Sequence, residues 1–171
     1  MNKRNRTSRL TMAGILCAVA VVGSTLSFPV LGSKCAPVQH MVNVVCGVLL
    51  GPGYAIGAAL TASLIRNLLG LGSLLAFPGS MCGAALCALA YQKSGKTIAA
   101  VLGEVIGTGI LGGLLAYPVA VLFMGVSAGG VAFYAYVVPF LVSTTVGAAV
   151  SGLLVAYLDR GGVLAAMRAK L

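Results

Sequence analysis

Residues 36–55 read APVQHMVNVVCGVLLGPGYA, and the nature of this stretch decides the nature of the chain. The run Val38 to Leu50 is apolar and short, and it closes at Gly51-Pro52-Gly53, a strong turn signal. Within it Gln39, His40 and Asn43 fall in five positions, and His40 is the only histidine in the protein. Polar side chains on an apolar helix need a reason, and the reason depends on what surrounds the helix.

The remainder of the chain supplies that surrounding. Of 171 residues, 60% are hydrophobic and 8% charged, and the mean hydropathy is +1.07. Soluble domains carry about 25% charged residues, so the composition is that of an all-α integral membrane protein. Eleven Lys and Arg stand against two acids, Glu104 and Asp159. The basic residues lie between apolar runs, where they set orientation in a bilayer. They form no basic face interleaved with aromatics, which excludes nucleic acid as a partner. The five cysteines are odd in number, lack CxxC spacing and fall mostly in apolar runs, so they are read as small packing residues. The basic start before an apolar run resembles a secretory signal, but no small-x-small cleavage site follows it, and a retained first helix is expected.

A span needs about 20 apolar residues. Working outward from 37–50, the expected helices are 10–28, 37–50, 53–69, 78–91, 97–124 and 129–158, within a single membrane domain. A basic segment, 1–9, precedes them and a tail, 159–171, follows. Pro118 and Pro139 are expected to kink the last two. With the N-terminus in the cytoplasm, Lys3, Arg4, Arg6, Arg9, Lys93, Lys96, Arg160, Arg168 and Lys170 all lie inside. Lys34 alone lies outside, and Arg66 is within a helix. That asymmetry predicts six transmembrane helices with both termini cytoplasmic.

Small residues four apart mark close helix contacts in lipid. Gly103-Gly107 and Gly109-Gly113 in the fifth helix, and Ser143-Gly147-Ser151 in the sixth, predict packing inside the bundle. Ala13-Cys17 and Gly14-Ala18 in the first helix fit either internal packing or contact with a second protein.

The polar groups at membrane depth are few. Gln39, His40 and Asn43 share a region of one helix near its outer end, and Arg66 and Asn67 sit near the outer end of the next. Ser80 and Tyr117 fall at a similar depth. Glu104 stands apart, seven residues into the fifth helix from the inside, about 10 Å deep at 1.5 Å per residue. Arg66 alone could snorkel to headgroups, His40 alone could be an interhelical tie, and Glu104 alone could be a structural partner. Together they predict one outward-facing pocket with convergent polar groups on apolar walls, the way small-molecule sites are built. No HExxH, GxSxG or P-loop is present, and one histidine with two acids gives a metal too few ligands. No enzyme, cofactor or metal is expected.

At PVQHMVNVVCGVLLGPGYA (37–55) and LIRNLLGLGSLLAFPGSMCGA (64–84) the chain resembles the ThiW family. The resemblance runs from Leu10 to Leu158. These are small membrane proteins regarded as substrate-binding S components of energy-coupling-factor (ECF) vitamin transporters. The resemblance implies a six-helix bundle that captures a vitamin or its precursor from outside. The implied ligand is hydroxyethylthiazole, the thiazole moiety of thiamine, and the implied partners are a transmembrane T component and two ATPase subunits. Gln39, His40, Asn43, Arg66, Asn67, Ser80 and Tyr117 would then bind substrate, with Glu104 as polar support. S components commonly dock through AxxxA on the first helix; here the spacing survives as Ala13-Cys17 and Gly14-Ala18 with other residues in place. Other readings are an S component for a different small ligand, a proton-coupled carrier or channel using Glu104 and His40, and a structural subunit without a ligand.

Overall fold

The computed structural model describes residues 3–30 and 33–171; the side chains of Lys3 and of Lys34, the expected outer lysine, lie outside what is described. The chain opens with α1 (Lys3–Gly23), a 3₁₀ turn (Ser24–Leu26) and a short antiparallel hairpin of β1 (Phe28–Val30) and β2 (Ser33–Cys35). Then come α2 (Pro37–Leu50), α3 (Pro52–Leu68) and α4 (Ala76–Ser94). A continuous helix, α5 (Thr97–Phe123), follows, with a π-helical stretch at Val105–Gly112. The last elements are α6 (Val137–Arg160) and a short α7 (Val163–Ala169).

The helix junctions follow the sequence punctuation. A single residue, Gly51, joins α2 to α3 at φ 83°, a conformation natural to glycine, and Pro52 opens α3 where no amide hydrogen is needed. Gly95 at φ 66° ends α4, its N–H donating to Tyr91 O at 2.8 Å.

Four departures from expectation have physical causes. The first helix begins at Lys3, inside the basic segment, and stops at Gly23, where a Cβ would enter the Val38 side chain. The sixth begins at Val137 rather than at 129, because 125–132 carry Gly125 and Gly129 at positive φ. Pro139 therefore lies in the first turn of α6, where proline breaks no hydrogen bond, and the expected mid-helix kink there has no cause. In the tail, α7 buries Leu164 and turns Arg168 back onto the Tyr91 hydroxyl and Val48 O.

Among the described residues, three helices have the length and hydropathy to cross a membrane alone: 4–26, 97–123 and 137–160. The 14-residue α2 does not, at about 21 Å of rise. It sits in the middle of the bundle, against α1, α3, α4 and α6, with 10 of those 14 residues buried. A helix shielded by its neighbours can carry polar groups that lipid would expel.

Small residues bring these backbones together. A Cβ on Gly103 would lie 2.7 Å from Leu86 O, and one on Gly107 2.6 Å from Cys82 O, so this pair packs α5 onto α4. Gly109 and Gly113 face Leu141 and Val137 of α6 instead. Ser143, Gly147 and Ser151 run along α2: Ser143 Oγ accepts the Ala36 N–H at 3.1 Å and Ser151 Oγ donates to Met41 O at 3.1 Å. In α1 the two spacings part company, with Ala13 and Cys17 buried and Gly14 and Ala18 exposed.

Candidate functional site: a buried polar cluster and its cavity

On α2, Gln39 and Asn43 are one turn apart and meet directly, Gln39 Nε2 donating to Asn43 Oδ1 at 3.2 Å. His40, one residue on, points round the helix toward α5 and α6. The acceptor between them is Glu104, which is 0% exposed. Its Oε1 takes the Asn43 Nδ2–H at 3.0 Å, the Thr108 hydroxyl at 2.9 Å and His40 Nδ1 at 3.0 Å. With Asn43 donating, Oε1 is an acceptor, and His40 presents Nδ1–H to it. His40 Nε2 then lies 3.0 Å from Ser143 Oγ, whose hydrogen is free to serve it while the oxygen accepts from Ala36 N–H.

Arg66 completes the network from α3. Its carbonyl caps the helix end by accepting Leu71 N–H at 2.8 Å and Gly72 N–H at 3.1 Å. Its side chain turns inward and is 3% exposed, so it does not reach for headgroups. Nη1 donates to Gln39 Oε1 at 3.1 Å. Arg66, Gln39, Asn43 and Glu104 therefore form one directed chain of donors ending on the carboxylate, and such chains polarise one another in a low-dielectric interior. Among the described residues, two buried side-chain atoms have no partner, Arg66 Nε and Glu104 Oε2. Glu104 Oε2 rests against Gly83, where a Cβ would sit 2.6 Å from it, so glycine there makes room for the acid.

Above this cluster lies a narrow cavity of about 40 Å³. Its wall includes Ala36, Gln39, His40, Arg66, Ala76, Gly79, Ser80, Thr108, Phe140 and Ser143. Of the residues singled out from sequence, Gln39, His40, Arg66 and Ser80 are in the wall. Asn43 and Glu104 stand directly behind it. Asn67 is outside: its Nδ2 donates to Ser63 O at 2.9 Å and Ser73 O at 3.1 Å and pins the turn after α3. Tyr117 is also outside, its hydroxyl accepting the Gly129 N–H at 3.4 Å in an exposed loop. Sequence reasoning passed over Thr108, Ser143 and Phe140. Thr108 follows Glu104 by one helical turn, and Ser143 heads the small-residue stripe of α6, so both had a signal. Phe140 had none.

A second concavity runs along the outside between α1 and α3. It is larger, about 780 Å³, and mostly apolar, with Leu10, Ala13, Gly14, Cys17, Ala18, Gly57 and Ala58 among its residues.

A membrane helix bundle that encloses a small polar cavity in its core, with histidine, arginine and amides converging on it, is built to hold and pass a small solute. The family comparison gives that class a particular member. The family model described as thiamine-precursor transporter protein (ThiW) matches residues 10–161, and the chain belongs to this family. No curated protein and no solved structure matches the chain.

Proposed function

We propose that this membrane protein is the substrate-binding S component of an ATP-driven ECF transporter, taking up the thiamine precursor hydroxyethylthiazole. The observation that carries the reading is the cavity over the His40–Glu104–Asn43 cluster, in a chain of a thiamine-precursor transporter family. A five-membered ring suits the apolar part of the wall at Phe140, Ala36 and Ala76. Its nitrogen and hydroxyl suit the hydrogen-bonding groups of His40, Ser80 and Arg66. A site that must bond such groups rejects analogues lacking them, because its own polar atoms would be left unpaired.

In this reading the protein crosses the cytoplasmic membrane six times with both ends inside, and the cavity opens outward. The T component docks on the groove beside α1, against Ala13, Gly14, Cys17 and Ala18, and two ATPase subunits drive release. The supporting observation is that Gly14 and Ala18 are exposed on an apolar concave face. The test is uptake of labelled hydroxyethylthiazole by cells making the chain with and without T and ATPase subunits. Uptake that requires both is expected; uptake equal in their absence would refute the S-component assignment.

A second reading is a proton-coupled carrier. What favours it is the buried contact of 3.0 Å between His40 and Glu104, with Glu104 Oε2 left without a donor, where a proton could be taken up. It predicts uptake without ATPases that collapses with the proton gradient.

A further inference from the structure

We propose that the ligand of this cavity carries an anionic group, a carboxylate or a phosphate, seated on Arg66. The inference rests on the cavity being the precursor site and concerns which chemical form of the precursor fills it.

Arg66 is a cation inside the bundle, and among the described residues only one of its three nitrogens has a partner. Nη1 is committed to Gln39. Nε is buried without a partner, and Nη2 makes no hydrogen bond to the described residues. Nε and Nη2 share one edge of the planar guanidinium, the edge that accepts two oxygens of a carboxylate or phosphate side by side. One prong of the fork is thus committed to Gln39, while the bidentate edge, with Nε buried, has no partner among the described residues, and the side chain lines the cavity.

No protein acid is available to close it. The chain has two, and Asp159 is exposed in the last turn of α6. Glu104 is linked to Arg66 only through the amides of Gln39 and Asn43, and the described residues hold no Arg66–Glu104 ion pair. The end of α3 beside Arg66 offers at most about half a unit of negative charge. A desolvated cation without an adjacent counter-charge is costly in a membrane interior.

The remaining wall has the same polarity. The first turns of α2 and α4 both border the cavity, through Ala36 and Gln39 in one and Ala76 and Gly79 in the other. Neither helix has an acidic residue in its first turn or a side-chain cap. Their amides add little, since Pro37 and Pro78 have no N–H and the N–H groups of Gln39, Ala76 and Phe77 are taken by Ala36 O, Ser73 O and Leu74 O. The two helix dipoles support the charge of the guanidinium fork, which is the group that favours an anion. A neutral hydroxyethyl group would offer Arg66 one oxygen. The same alcohol esterified with phosphate, or the ring bearing a carboxylate, would offer the pair.

The experiment is a binding titration on the purified full chain, with hydroxyethylthiazole, its phosphate monoester, the corresponding thiazole carboxylic acid and inorganic phosphate as probes. An anionic ring form should bind at least roughly tenfold tighter than the alcohol, and inorganic phosphate more weakly than that form. Arg66→Gln should weaken the anionic form roughly ten- to a hundredfold and the alcohol far less. Arg66→Lys, which keeps the charge and loses the fork, should fall between. If the alcohol binds as tightly as both anionic forms, the inference is wrong while the precursor reading stands. Inorganic phosphate binding as tightly as the ester would overturn it too, since the ring would then contribute nothing. If no ring form binds to chain that still unfolds cooperatively, the precursor reading fails first. Should Arg66→Gln not fold, the ratio between ester and alcohol on the unaltered chain decides alone.

Discussion

The two concave regions of this protein differ in an instructive way. The groove between α1 and α3 is the larger, about 780 Å³ against about 40 Å³, yet apart from Tyr54 and Thr61 it is lined by apolar residues, with little to orient a small solute. The core cavity is small, and its wall holds six polar side chains from α2 to α6: Gln39, His40, Arg66, Ser80, Thr108 and Ser143. Volume alone would choose the wrong one. An apolar open face fits another protein or lipid, whereas buried polar groups in a low-dielectric interior demand defined partners. The two regions also respond to substitution differently, because only one is coupled to the core hydrogen-bond network.

Five substitutions can break or sharpen that contrast. Glu104→Ala should have the largest effect. It leaves the amide of Asn43, the imidazole of His40 and the hydroxyl of Thr108 without their shared acceptor, and each buried donor left unsatisfied costs about 1–3 kcal/mol. Thermal unfolding of the purified protein reads this directly, and an unchanged midpoint would mean that the cluster does not hold the bundle together.

Next come His40→Ala and Asn43→Ala, each about 1–3 kcal/mol. They should divide by location. His40 is in the cavity wall, so its loss should fall mainly on affinity; Asn43 is behind the wall, so its loss should fall mainly on unfolding temperature. Equal effects of both variants on both measurements would erase the distinction between wall and support.

Gly14→Leu addresses the groove. A Cβ at Gly14 has no atom within 4 Å, so stability should change by less than about 0.5 kcal/mol and ligand affinity not at all. Uptake by the assembled transporter should nevertheless be lost, because a bulky side chain holds a docking helix away. Normal uptake would show that this face contacts lipid rather than a partner subunit.

The smallest effect is expected for Tyr117→Phe. Its hydroxyl meets only an amide of an exposed loop, so both affinity and midpoint should stay within about 0.5 kcal/mol of the parent. A tenfold loss of affinity would require Tyr117 to move into the cavity when ligand binds.

Composition and local punctuation carried the helix order, since an apolar run, a proline or a glycine acts through its immediate neighbours. Positions 37–50 show it plainly: Pro37 opens the helix and Gly51 closes it. The same local logic marked Gln39, His40 and Arg66 as polar groups needing partners. It failed at the start of α6, where 125–136 is apolar enough to extend a helix but turns at Gly125 and Gly129 instead. It also failed for the tail, whose helix exists by packing Leu164 against the bundle rather than by any strong pattern of its own.

What the sequence determined by itself was the class of protein, the order of its first six helices and the short inventory of polar side chains that a membrane interior must account for. Only the tertiary structure decided which of those side chains meet. Glu104 was placed by its distance along α5, apart from the others, yet the close contact of Gly103 and Gly107 with the α4 backbone carries it to within 3.0 Å of His40 and Asn43. Asn67, by contrast, adjoins Arg66 in sequence and faces away, held by the turn it caps. Helical spacing fixes the face a residue occupies on its own helix. The neighbour that face meets depends on how closely backbones pack, and that is set by glycines and serines distant in sequence.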